Sequence, residues 1–108
     1  MKTTKARHGF RATMKALPGK GDELVELLLS AATGNGPATN GNCIVYLVGR
    51  SASDKDVVHV LEGWTSREAH AENFASDWAK AFVAKLAPLV SGEAQYQDEV
   101  PIGGKWLG

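Results

Sequence analysis

A single cysteine, Cys43, excludes an internal disulfide, and without a second one no CxxC zinc or redox motif exists. Histidine is almost as scarce. His8, His59 and His70 lie far apart in sequence, and no HxxxH helix motif occurs. A metal centre needs three or four convergent ligands, so the expectation is no metal. Net charge is missing too: 12 basic residues balance 12 acidic ones, well mixed along the chain. A nucleic-acid partner selects for a basic face or stripe, so none is expected. Apolar runs such as Ile44–Val48 fall far short of the roughly 20 residues that span a bilayer, which argues against a membrane. The basic start, MKTTKARHGF, leads into no apolar stretch of signal-peptide length, so the expected location is cytoplasmic. The glycine-containing stretch 33–42, TGNGPATNGN, is neither a GxGxxG nor a Walker sequence. No Ser-His-Asp or Cys-His arrangement is suggested, and Cys43, opening an apolar run, reads as inert core.

What is present is a regular pattern over 108 residues of even composition, which implies one domain, 1–108. Phe10, Ala12, Met14 and Ala16 alternate with Arg11, Thr13 and Lys15, the mark of a strand with one apolar side. Pro18-Gly19-Lys20-Gly21 turns the chain. Asp22 is then an N-cap for a helix carrying Leu24, Val25, Leu28, Leu29 and Ala32 at helical spacing. After loop 33–42, the runs Cys43–Gly49 and Val57–Trp64 read as strands joined by the polar connection RSASDKD. Ser66 caps a helix from Arg67, and Ser76 or Asp77 restarts it. Phe74, Trp78, Phe82 and Leu86 form a row four residues apart, and Pro88 limits the helix. A last strand, about 93–100, precedes the tail PIGGKWLG. The order strand, helix, strand, strand, helix, strand is that of the ferredoxin-like split β-α-β fold. This is an α+β class with a four-stranded antiparallel sheet and helices on one face.

The two middle strands are apolar at odd and even positions alike, apart from His59. Continuous apolar runs imply that both sheet faces are covered, yet the helices of so short a chain cover one. A second copy of the same sheet is the simplest cover, so a homodimer with face-to-face sheets is expected. The tail residues Trp106 and Leu107 are expected to dock on the partner or across the chain's own barrel end.

Several short motifs then stand together: Leu17-Pro18-Gly19-Lys20-Gly21-Asp22, Cys43-Ile44-Val45-Tyr46, and Glu62-x-Trp64-x-Ser66-x-Glu68-Ala69. With the ending Pro101-Ile102-Gly103-Gly104-Lys105, they resemble the antibiotic biosynthesis monooxygenase family of dimeric α+β barrel proteins, including its quinol monooxygenase-like members. The resemblance implies a dimer with a pocket between sheet and helices. It also implies oxidation of electron-rich phenolic, anthrone-like or quinol substrates by O2 without flavin or metal, hence no cofactor. Related members cleave haem, and others process small signalling molecules. One departure is evident: where the family usually has a histidine nine residues after the tryptophan, this chain has Asn73.

Each candidate residue has a structural reading beside its functional one. Trp64 is a core aromatic closing a strand, or a pocket wall whose indole N–H holds a substrate oxygen. Glu62 shares a strand face with Trp64. It is expected to pair with Arg11 of the first strand or, if unpaired and buried, to accept a proton from a phenol. His59 points to the opposite face and reads as an interface histidine. His70 is a partly exposed helical residue or a general base at the pocket mouth, and Asn73, one turn on, a surface amide or a donor to a substrate carbonyl. Phe74, Trp78 and Phe82 pack the helix on the sheet or floor a cavity for a flat ring, with Tyr46, Phe10 and Met14 opposite. Loop 33–42 is a flexible connection or a lid. The expected function is a cofactor-independent monooxygenase for a small planar phenol, quinol or anthrone, with His70, Asn73 and Trp64 as catalytic residues. The alternatives are a non-catalytic dimeric ligand-binding module and a haem-binding or haem-degrading protein.

Overall fold

The alternating apolar residues of the first strand set the layout. A computed structural model describes residues 5–33 and 36–105. It contains β1 (His8–Lys15), α1 (Gly21–Ser30), β2 (Cys43–Arg50), β3 (Val57–Trp64), α2 (Arg67–Phe74), α3 (Asp77–Leu86) and β4 (Gln95–Glu99). The sheet order is β2-β3-β1-β4, antiparallel throughout, giving the ferredoxin-like α+β fold with one open sheet. On β1, Ala12 and Met14 are buried while Arg11 and Lys15 are exposed. The register sets Phe10, Ala12 and Met14 opposite Glu62, Val60 and Val58 on the helix-covered face. Leu24 and Leu28 of α1 and Leu86 of α3 close over that face to complete the core. Fully burying a leucine contributes roughly 1.5–3 kcal/mol, so these few side chains carry much of the stability of a small domain.

The second helical region is two helices, each with its own cap. Ser66 accepts from the Ala69 amide at 3.0 Å and Ser76 from the Ala79 amide at 3.2 Å. The break divides the aromatic row: Phe74 ends α2 and is 55% exposed, while Trp78 and Phe82 stack on α3 at 4.8 Å. Helix α3 stops at Leu86, two residues short of Pro88, and continues as a single 3-10 turn, Ala87–Leu89. A second 3-10 turn, Pro37–Thr39, lies within loop 33–42 and buries Pro37.

Two expectations are corrected. Asp22 is not the cap of α1. The helix begins at Gly21, whose backbone lies so close to the Lys55 carbonyl that any Cβ would collide with it. The Asp56 carboxylate, reaching from the β2–β3 connection, accepts from the amides of Gly21 at 3.1 Å and Gly19 at 3.3 Å. Asp22 instead lies in the first turn and accepts from Arg50 at 2.9 Å, a bond that lowers its pKa. Nor does Arg11 pair with Glu62. Arg11 sits opposite Leu61 on the open face and reaches Glu99 at 3.5 Å, whereas Glu62 points to the helix side.

The face of the sheet away from the helices carries Val45, Leu47 and Leu61 beside Arg11 and His59. Leu47 is 47% exposed there, and His59 Nδ1 lies 3.2 Å from the Thr13 hydroxyl. The expected docking of Trp106 and Leu107 falls outside the described residues. Among the described residues, no helix is long and apolar enough to cross a membrane.

Candidate functional site

Between the helix-covered face of the sheet and helices α1, α2 and α3 lies a mostly apolar cavity of about 80 Å³. Strand alternation supplies its floor, because Phe10, Met14, Tyr46 and Glu62 all project from the same side. Helical spacing supplies its roof through Phe74, Trp78 and Phe82, with His70 and Asn73 one turn apart on α2. All seven substrate-binding candidates therefore line one space, as do His70 and Asn73. Trp64 is absent from the wall. It is fully buried behind it, and its indole N–H is already committed, donating to Glu62 Oε1 at 2.8 Å. In this arrangement it holds the carboxylate rather than offering a donor to a ligand.

Glu62 is the charged group of this apolar wall. Its side chain is 13% exposed, and burial raises its pKa above the usual carboxylate value, opposed by the Trp64 hydrogen bond. His70 Nε2 lies 3.9 Å from Glu62 Oε1, an ion-pair separation longer than a hydrogen bond. Its imidazole is packed among rings, 4.6 Å from Phe10, 5.1 Å from His8 and 5.5 Å from Trp64. Burial, then the neighbouring His8, lowers the His70 pKa, while Asp98 raises it. A raised acid beside a lowered base are two groups whose charged forms are both disfavoured by their surroundings. Such a pair can exchange a proton with a bound hydroxyl at small cost.

The remaining polar groups divide cleanly. The Asn73 side-chain amide makes no hydrogen bond among the described residues and faces the cavity. Tyr46 is committed: its hydroxyl donates to the Leu28 carbonyl at 2.8 Å, and burial raises its pKa, keeping it neutral. The Cys43 thiol is pushed up to about 11 by burial and donates to the Val45 carbonyl, which disqualifies it as a nucleophile at neutral pH.

Sequence reasoning passed over Tyr96, Pro37, His8 and Asp98. Tyr96 stacks on Phe10 at 5.5 Å and borders the cavity, and Pro37 closes it from the 33–42 loop. His8 was legible in principle, since period-two alternation from Phe10 carries the helix face back to it. Asp98 was not, because its place depends on β4 pairing with β1, Phe10 opposite Asp98. Together His8, His70 and Asp98 present potential metal-ligand atoms that all lie within 4.8 Å of one another. The three residues are distant in sequence and meet only through the fold.

A family model described as antibiotic biosynthesis monooxygenase matches residues 9–85, from the start of β1 almost to the end of α3. The chain belongs to the antibiotic biosynthesis monooxygenase family. Within this family member the matched segment holds Glu62, Trp64, His70, Asn73 and all the aromatic candidates, and leaves out His8 and Asp98. Solved structures agree with the assignment. A provisionally named antibiotic biosynthesis monooxygenase from Caulobacter crescentus CB15 is 27% identical, with TM-score 0.80 over 93% of each chain. Another from Chloroflexus aurantiacus J-10-fl is 26% identical, with TM-score 0.78 over 95% of this chain and 100% of that one. Rv0793 from Mycobacterium tuberculosis, 19% identical, shares the fold at TM-score 0.79 over 92% of this chain and 98% of that one. No curated protein sequence matches this one closely enough to establish a relationship.

Proposed function

We propose that this family member oxidises a small planar phenol, quinol or anthrone-like compound with O2 in the cavity beneath α2 and α3. The observation that carries the reading is the buried Glu62–His70 pair, set 3.9 Å apart at the wall of an otherwise apolar, ring-lined space. Electron-rich hydroxyarenes and anthrones become reductants of O2 once deprotonated. The protein then has to hold the ring, take one proton and exclude water. For an anthrone-type methylene the balance closes without a further reductant. The carbon loses both hydrogens and gains one oxygen atom as a ketone, and the other oxygen atom leaves with those hydrogens as water.

Within this reading the aromatic residues stack the ring and the Glu62–His70 pair takes the proton. The free amide of Asn73 donates to the substrate oxygen as it gains charge. Trp64 is a positioning residue acting through Glu62. The active unit is proposed to be a homodimer joined through the open sheet faces, which would cover Val45, Leu47 and Leu61.

The test is oxygen uptake by the purified protein with a panel of hydroquinones and anthrones. Uptake well above the spontaneous rate is expected, falling by about two orders of magnitude or more in Glu62→Gln, as removal of a general base does. Uptake at the spontaneous rate across the panel would overturn the reading. Saturable binding of the same compounds without uptake would then identify a ligand-binding module. A Soret shift on haem titration would instead identify a haem protein.

A further inference from the structure

The geometry points to a divalent transition-metal site formed by His8, His70 and Asp98 at the edge of the sheet. This proposal shares His70 with the oxidation reading, but it stands on different observations and its test reads metal binding rather than oxygen uptake. The residues come from different elements, the start of β1, the first turns of α2 and the strand β4. The His8 imidazole is buried, and its Nε2 has no hydrogen-bond partner among the described residues. Its nearest acidic atom, Asp98 Oδ1, stands 3.6 Å away, too long for a hydrogen bond. A buried, unpaired ring nitrogen costs stability unless something fills its lone pair or takes its proton. The His70 ring, 5.1 Å away, supplies a second imidazole on the same side.

Two imidazoles and a carboxylate are the donor set of zinc, cobalt, nickel and ferrous ions rather than of calcium or magnesium. Such ions hold N and O ligands at about 2.0–2.2 Å, which sets ligand atoms roughly 3–3.5 Å apart. Here the atoms already lie within 4.8 Å, and Asp98, whose side chain is 64% exposed, is free to swing inward. Three protein ligands leave a coordination position open beside Phe10, Phe74 and Tyr96. An ion there would also tie α2, through His70, to β1 and β4. Helix α2 buries none of its own residues, so that tie would be its strongest anchor.

The test uses chelator-treated full chain titrated with Co2+ and, separately, Zn2+. Expected are saturable visible d–d absorption at one Co2+ per chain, displacement by Zn2+, and a rise in the unfolding midpoint. Asp98→Asn and His8→Gln should each weaken binding by about tenfold or more, and His59→Gln, on the opposite face, should leave it unchanged. Because Asp98 is exposed, its variant folds regardless and keeps the result readable. Absence of saturable absorption in the wild type would overturn the proposal, as would equal affinity in wild type, Asp98→Asn and His8→Gln.

Discussion

Replacing Trp64 by Phe probes the pairing on which the candidate site is built. The indole N–H donates at 2.8 Å to a carboxylate that is 13% exposed, so the bond is charge-assisted and poorly screened. Hydrogen bonds to charged groups contribute about 1.5–3 kcal/mol net, and about 1 kcal/mol more is lost to the smaller ring. The expected cost at pH 7 is therefore about 2.5–4 kcal/mol. In a Glu62→Gln background the acceptor is a neutral amide, for which the bond contributes only about 0.5–1.5 kcal/mol. The double-mutant cycle should thus return a coupling of about 1–1.5 kcal/mol. The pH dependence follows from the raised Glu62 pKa. Between the ordinary carboxylate pKa and the higher folded value, the native state binds more protons than the unfolded one, so stability falls as pH rises through that window. Glu62→Gln removes this loss and should be more stable than wild type at pH 7, with the difference vanishing in acid, where both states are protonated. Trp64→Phe, by raising the folded pKa further, should widen that window and enlarge the total loss by about 1.4 kcal/mol per added unit. Urea unfolding of the four proteins at pH 5 and pH 7, at fixed protein concentration, measures all of these quantities. Equal costs for Trp64→Phe in both backgrounds, unchanged between the two pH values, would refute the reasoning.

Asp56→Ala should destabilise by about 0.5–2 kcal/mol by uncapping α1, the range for a lost N-cap acceptor. Faster amide exchange at Gly19 and Gly21 would accompany it, and an unchanged unfolding midpoint would show that those amides need no acceptor. Leu47→Glu tests the open face. Wild type should sediment at twice the 11.5 kDa chain mass and the variant at the chain mass, whereas a monomeric wild type would remove the proposed dimer.

How far each feature could be read from sequence depended on how local its cause is. The alternation around Ala12 and Met14 and the serine caps at Ser66 and Ser76 are local, and the folded chain keeps them. The true cap of α1 comes from Asp56, 35 residues away, and no helix-start pattern contains it. Glu62 shows the same division within one residue. Its partner Trp64 lies two positions along the same strand face and was available from parity alone. Arg11 was wrongly paired with it because adjacency of strands says nothing about which side chains share a face. His8, His70 and Asp98 meet through strand pairing, register and helix placement at once. Their separation in sequence read as evidence against a cluster that the fold assembles.

The size of the cavity constrains how the proposed chemistry would run. At about 80 Å³ it is well below the roughly 300–1,000 Å³ of clefts that hold drug-sized ligands, and an engineered cavity that binds benzene is nearer 150 Å³. A fused-ring substrate therefore enters only if part of the wall moves. The sheet cannot yield without breaking its ladder, and α3 is anchored by buried Ala79 and Leu86. Helix α2 has neither restraint: it buries no residue, leaves Phe74 half exposed, and is capped separately from α3 by Ser66. The break at Ala75-Ser76 lets it swing as a unit without unwinding its neighbour. Since α2 carries His70 and Asn73, a motion that admitted the proposed ring would also withdraw the proposed base and amide, and closure would restore them. Under the proposed chemistry, the segmentation of the second helical region into two capped helices would reconcile a small apolar cavity with a substrate larger than it.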